Sequence, residues 1–231
     1  MCTVSYLPLA EGFFLTTNRD EDPGRKTGLP SKITLANGCR IITPLDLEKG
    51  GSWIAVDDEG RTTCLLNGAF TKHRRQPPYH KSRGKLVLEA FEARDFESFA
   101  ENILLEGIEP FTQLFVSPGQ LLKLVWDGSY KYVWELAADS VHLWSSPTLY
   151  SPTQHAEKER YFKDALRKTA WDPEAVLKIH GKDASTPFIL SRPSVRTVSI
   201  TQVRRKGSEV SMDYFPKEAK HENPVSLHIP V

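Results

Sequence analysis

Strand-like and helix-like segments follow one another in blocks along this chain, and that order limits its fold more than any other feature. Two strand-like runs, Thr3-Val4-Ser5-Tyr6-Leu7-Pro8-Leu9 and Gly12-Phe13-Phe14-Leu15-Thr16-Thr17, meet at a turn over residues 10–12. Residues 22–44 are rich in Pro, Gly and Lys and read as a long loop, with one short strand over 32–35. The clearest hairpin comes next, 53–56 with 62–66 across the turn Asp57-Asp58-Glu59-Gly60. Helices are expected over 83–91 and 95–105, the second with Phe96, Phe99, Ala100, Ile103 and Leu104 on one face. Strands return over 110–117, 121–126, 131–136 and 140–146 as an antiparallel meander. Helices over 154–169 and 173–180 precede a last hairpin, 194–203 with 208–215.

Helices that arrive in pairs between hairpins, rather than singly between strands, argue against a doubly wound parallel sheet. The order predicts an α+β chain of two antiparallel sheets covered by helices on their outer faces, in one domain over 1–231. Trp53, Trp126, Trp134 and Trp144 fall in strand-like runs and read as sheet-core aromatics.

A net charge of +1 gives no global attraction to nucleic acid or to an anionic membrane. No aromatic interleaving or helix-turn-helix supports nucleic-acid readout. No run approaches the 18 apolar residues of a membrane span, and no basic leader precedes an apolar core, so neither a transmembrane segment nor a signal peptide is expected. Three scattered cysteines, Cys2, Cys39 and Cys64, form no disulfide framework and suggest a reducing, cytoplasmic setting. Cys39 and Cys64 lack ligand spacing and the histidines are dispersed, so neither a metal nor a cofactor is expected.

Cys2 is the residue with the most chemistry in prospect. Removal of Met1 would leave one residue carrying both a thiol and a free α-amine. A thiolate attacks acyl carbon well, and an amine with an ordinary pKa of about 7.7–8.0 suits the role of its base. The bland alternative is an inert strand cysteine, still blocked by Met1.

An ordered set of motifs accompanies it. Thr17-Asn18-Arg19-Asp20-Glu21 ends the second strand, and Gly50-Gly51-Ser52-Trp53-Ile54-Ala55-Val56 leads to Leu65-Leu66-Asn67-Gly68. Ser82-Arg83-Gly84-Lys85-Leu86-Val87 opens a helix, and Thr197-Val198-Ser199 lies in the late hairpin. Together they resemble the NRDE family, also called the transport-and-Golgi-organisation protein 2 family, over nearly the whole chain. That resemblance implies a four-layer αββα sandwich of the N-terminal-nucleophile hydrolase type. It also implies kinship with cysteine amidases such as penicillin V acylase and bile salt hydrolase, and hence a capacity to cleave a small non-peptide amide. Eukaryotic relatives are associated with secretory organisation, lipid metabolism and haem handling.

The resemblance suggests roles for single residues. Cys2 is the nucleophile. Arg19 lowers the thiol pKa, Asp20 fixes the α-ammonium, and Asn67 donates to an oxyanion beside a backbone N–H. Adjacent strand residues face opposite ways, so Arg19 and Asp20 both approach Cys2 only if a bulge or the strand end redirects one. Each residue has a structural alternative: an Arg19–Asp20 pair that locks the strand end, and an Asn67-Gly68 turn. Asn18 is expected to orient a loop and Glu21 to bond Arg83 or another base. Ser82 is expected to cap the helix. Thr197 and Ser199, two apart in a strand, are expected to face the same way and to line the pocket or a hydrogen-bonded sheet face. Gly50-Gly51 read as conformational rather than phosphate-binding. The acylase relatives also use a second asparagine and a late arginine; Asn102, Arg192 and Arg196 are the nearest counterparts, with no secure match. Lys72, His73, Arg74 and Arg75 read as a solvated loop or as a means of steering an acidic substrate.

Two functions compete. One is a cysteine amidohydrolase acting on a small amide. The other is a non-catalytic protein on the same fold that binds or traffics a hydrophobic ligand, a lipid or haem. No sequence feature marks a haem ligand.

Overall fold

The computed structural model describes residues 3–217 and 224–230. Two antiparallel sheets face one another. The six-stranded sheet contains β1 (Thr3–Leu9), β2 (Gly12–Glu21), β10 (His142–Ser145), β11 (Arg196–Lys206), β12 (Glu209–Pro216) and β13 (Val225–Pro230). Their order is β10-β1-β2-β11-β12-β13. The seven-stranded sheet runs in chain order through β3 (Thr27–Thr34), β4 (Arg40–Asp46), β5 (Ile54–Asp57), β6 (Thr62–Asn67), β7 (Phe111–Ser117), β8 (Gln120–Trp126) and β9 (Lys131–Leu136).

Strand alternation sends one set of side chains from each sheet into a shared core, where Val4, Tyr6, Phe13, Leu15, Val203 and Met212 meet Ile42, Ile54, Val56, Cys64, Leu66 and Leu114. The other face of the seven-stranded sheet is covered by α1 (Arg83–Glu89), a 3-10 turn (Ala90–Glu92) and α2 (Phe96–Asn102), through Leu86, Val87, Phe91, Phe96 and Phe99 on Phe111 and Phe115. Leu7 and Phe14 turn the opposite way to Val4 and Leu15, and pack under α3 (Pro152–Lys168) and α4 (Pro173–Ile179) with Phe162, Val176 and Phe188. Three apolar layers between four structural layers make the expected αββα sandwich. Among the described residues, no helix is long and apolar enough to cross a membrane.

Four expectations change. The segment over 22–44 holds two strands, β3 and β4, rather than a loop with one. β3 is the sheet's edge, and its ladder shifts register between Gly28 and Ser31, so Pro30 sits where no ladder donor is needed. The segment 140–146 leaves the meander: β10 pairs with β1 in the other sheet, Val4 opposite Trp144. The helix at 95–105 stops at Asn102, because Ile103 adopts an extended conformation and Lys131 Nζ takes the carbonyls of Glu101 and Ile103. Leu104 therefore lies beyond the helix and is 79% exposed. Of the four tryptophans, Trp53 and Trp126 are buried, Trp144 packs at the rim of the intersheet core, and Trp134 is exposed on β9.

Candidate active site

The end of β2 sets the geometry. Arg19 pairs with Ser199 of β11, and Asp20 pairs with Thr197. Arg19 follows Leu15 and Thr17 onto the intersheet face, while Asp20 follows Asn18 onto the helix-covered face. The ladder shifts register between Thr197 and Ser199, and the extra residue, Val198, gives its carbonyl to the Lys217 amide at 2.9 Å. The bulge is on β11 and not on β2, so Arg19 and Asp20 keep opposite faces. It also separates Thr197 from Ser199, contrary to simple alternation: Thr197 goes with Asp20 and Ser199 with Arg19.

Arg19 is 2% exposed. Its Nη1 donates to Thr27 Oγ1 at 2.9 Å, its Nη2 lies 3.7 Å from Glu21 and 4.0 Å from Asp46, and its guanidinium carbon sits 4.5 Å from the centre of the Trp53 ring. Burial lowers its pKa, and the two carboxylates oppose that. Asp46 also accepts from Arg25 Nε at 2.8 Å. Burial works to raise the Asp46 pKa, but the bonds and charge of Arg25 and the amides of Glu48 and Lys49 hold it below the usual carboxylate value. Asp20 accepts from Tyr150 at 2.5 Å and from Thr197 Oγ1 at 2.6 Å. The two residues therefore bond elsewhere, not to each other.

β6 delivers Asn67 to the same end of the sandwich. Its carbonyl accepts from Ser146 Oγ at 2.5 Å, and Gly68 turns the chain at φ +86°. Conformation and chemistry are divided there: Gly68 makes the turn, and Asn67 lines a cleft of about 80 Å³ together with Arg19, Glu21, Trp53, Ser82 and Arg83. Four segments far apart in the chain thus converge on one place. The Gly51 and Gly84 backbones touch behind it, with the Ser52 amide bonded to the Gly84 carbonyl at 2.9 Å.

Arg83 does not pair with Glu21 as expected. Its Nη2 lies 3.2 Å from Glu109 and its Nη1 donates to the Pro110 carbonyl at 2.8 Å. Burial lowers its pKa, with Glu109 opposing. Glu21 instead faces Arg19 and Arg25, at 3.7 and 3.6 Å. Ser82 occupies the cap position of α1, yet its side chain makes no capping bond. The basic loop is anchored rather than simply solvated, because His73 and Arg75 both reach Glu109, at 3.2 and 3.3 Å.

On the other face, Asn18 orients a loop as expected: its Nδ2 donates to the carbonyls of His180 and Phe188, at 2.9 and 3.2 Å. Sequence reading missed what else meets there. His180 Nδ1 is 2.5 Å from Asn18 Oδ1, and its Nε2 is 2.7 Å from Ser5 Oγ. The ring is fully buried, which pushes its pKa down to about 3, with nearby Lys158 adding to the effect. Lys158 is itself buried, bonded to Thr3 Oγ1 at 2.6 Å and 3.1 Å above the Tyr150 ring. A serine, histidine and asparagine in hydrogen-bonded series resemble a catalytic triad, but 0% exposure of all three makes them a structural strut.

Asn102 ends α2 with its side chain on Ser98, Arg192 reaches the Leu149 carbonyl at 3.0 Å, and Arg196 starts β11 opposite Glu21. Cys2 lies outside the described residues. Burial pushes the Cys39 thiol up to about 11, aided by Asp57, and the fully buried Cys64 thiol up to about 12, so neither is a ready nucleophile.

The family model for Transport and Golgi organisation 2 matches residues 1–208. The chain belongs to that family. No curated protein matches it. Among solved structures, it is similar to penicillin V acylase from Agrobacterium tumefaciens, with a TM-score of 0.61 at 9% identity over 100% of this chain and 86% of the other. It is also similar to a mutant conjugated bile acid hydrolase from Clostridium perfringens, with a TM-score of 0.57 at 11% identity over 98% and 92%. An N-acylethanolamine-hydrolyzing acid amidase ortholog from Caenorhabditis elegans gives a TM-score of 0.61 at 11% identity over 87% and 92%. These likenesses identify the family's sandwich in this chain as an N-terminal-nucleophile hydrolase fold.

Proposed function

We propose that the chain, once freed of Met1, is a cysteine amidohydrolase acting on a small non-peptide amide. The observation that carries the proposal is the convergence of Arg19, Glu21, Asn67 and Arg83 on one cleft at the end of β2, the strand beside β1. Cys2 directly precedes β1 in the chain. The proposal requires its thiol to share the intersheet face with Val4 and Tyr6, where Arg19 lies.

In this reading the α-amine takes the thiol proton as sulfur bonds to the amide carbon. The C–N bond then breaks with that proton passed to the departing amine. Water adds to the thioester, releases the carboxylic acid and restores the thiol. Asn67 Nδ2 donates to the oxyanion of each tetrahedral intermediate. Arg19 favours the thiolate. The reading also requires the α-amine to come within reach of Asp20, whose side chain leaves β2 on the face opposite Arg19. The proposal keeps a cytoplasmic setting, where a free thiol persists.

Intact-mass measurement on protein from its native cytoplasm tests the first requirement: loss of Met1 is expected. Cys2→Ser should abolish amide turnover and leave the unfolding midpoint in place. A mature chain that retains Met1 ends the hydrolase reading. It would favour the second one, a non-catalytic binder of a lipid or haem-related ligand on the same fold.

A further inference from the structure

A second cavity, about 450 Å³, shares no lining residue with the cleft. Its walls are tied to both halves of the candidate machinery. Tyr150, in its lining, donates to Asp20 at 2.5 Å. Thr148, also in its lining, bonds Ser146 at 2.8 Å, and Ser146 holds the Asn67 carbonyl. The volume falls in the range of small-molecule sites, about 300–1,000 Å³.

The lining chemistry has one sign. Lys72 and Arg192 supply its charge, His155, whose pKa burial and Lys158 lower, supplies a neutral ring that can donate a hydrogen bond, and no aspartate or glutamate lines it among the described residues. Arg192 commits only one N–H, to the Leu149 carbonyl at 3.0 Å, so the rest of its fork is available to a planar anion. Lys158 adds positive field from beneath the Tyr150 ring, 3.1 Å from its centre. Phe70, Leu149 and Tyr150 supply an apolar side, and the Phe70 ring is propped by edge contacts with Tyr132 and Trp134 at 5.2 and 6.2 Å. A larger groove of about 750 Å³, against the β1–β2 turn, sets Glu11 and Asp139 against Arg205 and offers no such single-sign lining.

We propose that the 450 Å³ cavity binds an anionic amphiphile, its acidic group against Lys72, His155 and Arg192 and its apolar body against Phe70, Leu149 and Tyr150. The proposal deepens the hydrolase reading, on which only the ligand's fate as an amide substrate rests; binding itself does not need turnover.

The test uses the full chain carrying Cys2→Ala, with N-octanoylglycine and its neutral counterpart N-octanoylglycinamide as probes in isothermal titration. The acid should bind about tenfold more tightly than the amide. Arg192→Gln should weaken the acid about fivefold, and the Lys72→Gln, Arg192→Gln pair about tenfold, with the amide unaffected; a solvent-exposed ion pair is worth up to about fivefold. Phe70→Ser should weaken both probes. Unfolding midpoints confirm that each variant is folded. Equal affinity for acid and amide, indifference to the charge variants, or binding of neither probe overturns the proposal. Charge-selective binding without hydrolysis by the wild-type chain would sink the hydrolase reading alone.

Discussion

Gly51 and Gly84 meet backbone to backbone. A Cβ on Gly84 would stand 2.8 Å from the Ser52 carbonyl oxygen, and one on Gly51 would stand 2.8 Å from the Gly84 carbonyl oxygen. Two motifs that look independent in the sequence, Gly50-Gly51-Ser52-Trp53 and Ser82-Arg83-Gly84, are therefore two halves of one contact. It brings the start of α1, and with it Arg83, down to the cleft. Gly84→Ala sets two effects against each other. Helix propensity favours alanine by about 1 kcal/mol, but the clash is with backbone that cannot swing away, and overpacking costs about 1–3 kcal/mol. We expect net destabilisation of about 1–2 kcal/mol by urea unfolding. A stabilised Gly84→Ala variant would show that the contact is looser than this.

His180 makes stability pH-dependent. Its pKa is about 3 in the folded chain against an ordinary 6.5 when unfolded. Above pH 6.5 neither state holds the proton and the contribution is complete. Between pH 6.5 and 3 the unfolded chain takes up a proton that the folded chain refuses, so stability falls with pH at up to about 1.4 kcal/mol per unit. His180→Gln keeps a donor for Asn18 and removes the titration. It should be less stable than wild type at pH 7, and the gap should narrow as pH falls to 4. Urea midpoints that drop in parallel for the two proteins would exclude His180 as the cause.

The block order of strands and helices was enough for the layers, because it depends on local periodicity that each segment carries within itself. Sheet membership was harder to read. β10 carries the same alternation as β9, and only the partner strand β1, about 140 residues earlier, decides where it goes. The strand foreseen over 32–35 is the latter part of β3; β4 was hidden because Pro44 reads as a breaker, yet it falls in the register shift against β3 and beyond the short ladder with β5. The site shows the same division. The motif residues Arg19, Asn67 and Arg83 were visible as chemistry-bearing groups at strand and helix ends. Asp46, Glu109 and Tyr150, the partners of Arg19, Arg83 and Asp20, carry no local signal, since a carboxylate or phenol gains its role only from what folds against it. The separation of Thr197 from Ser199 depends on a one-residue bulge that no periodicity reports.

Thiol chemistry separates Cys2 from the other cysteines. Cys39 and Cys64, raised to about 11 and about 12, hold a thiolate fraction below about 10⁻³ at pH 7.5, and Cys64 is fully buried as well. Brief treatment of the mature native chain with iodoacetamide at pH 7.5 should add one equivalent, mapped by peptide mass to Cys2, and Cys2→Ala should take none. Labelling at Cys39 in preference to Cys2 would count against an activated N-terminal thiol.

Asn67 offers the sharpest separation of chemistry from structure. Its backbone carbonyl makes the bond to Ser146, and the turn that follows belongs to Gly68, so the side chain is spared for the cleft. Asn67→Ala keeps both backbone features and removes one oxyanion donor. If the amidase proposal holds, kcat should fall by about 10²–10³, the measured worth of such a donor, with KM little changed because the bond forms only as negative charge develops. The unfolding midpoint should move by less than about 1 kcal/mol, as for other partly exposed positions without a structural bond. Asn67→Asp sharpens the point: it matches the amide in shape, but its charge would repel the oxyanion, so its kcat should be no higher than that of the alanine variant. Turnover that survives both substitutions would move the oxyanion donors elsewhere in the cleft.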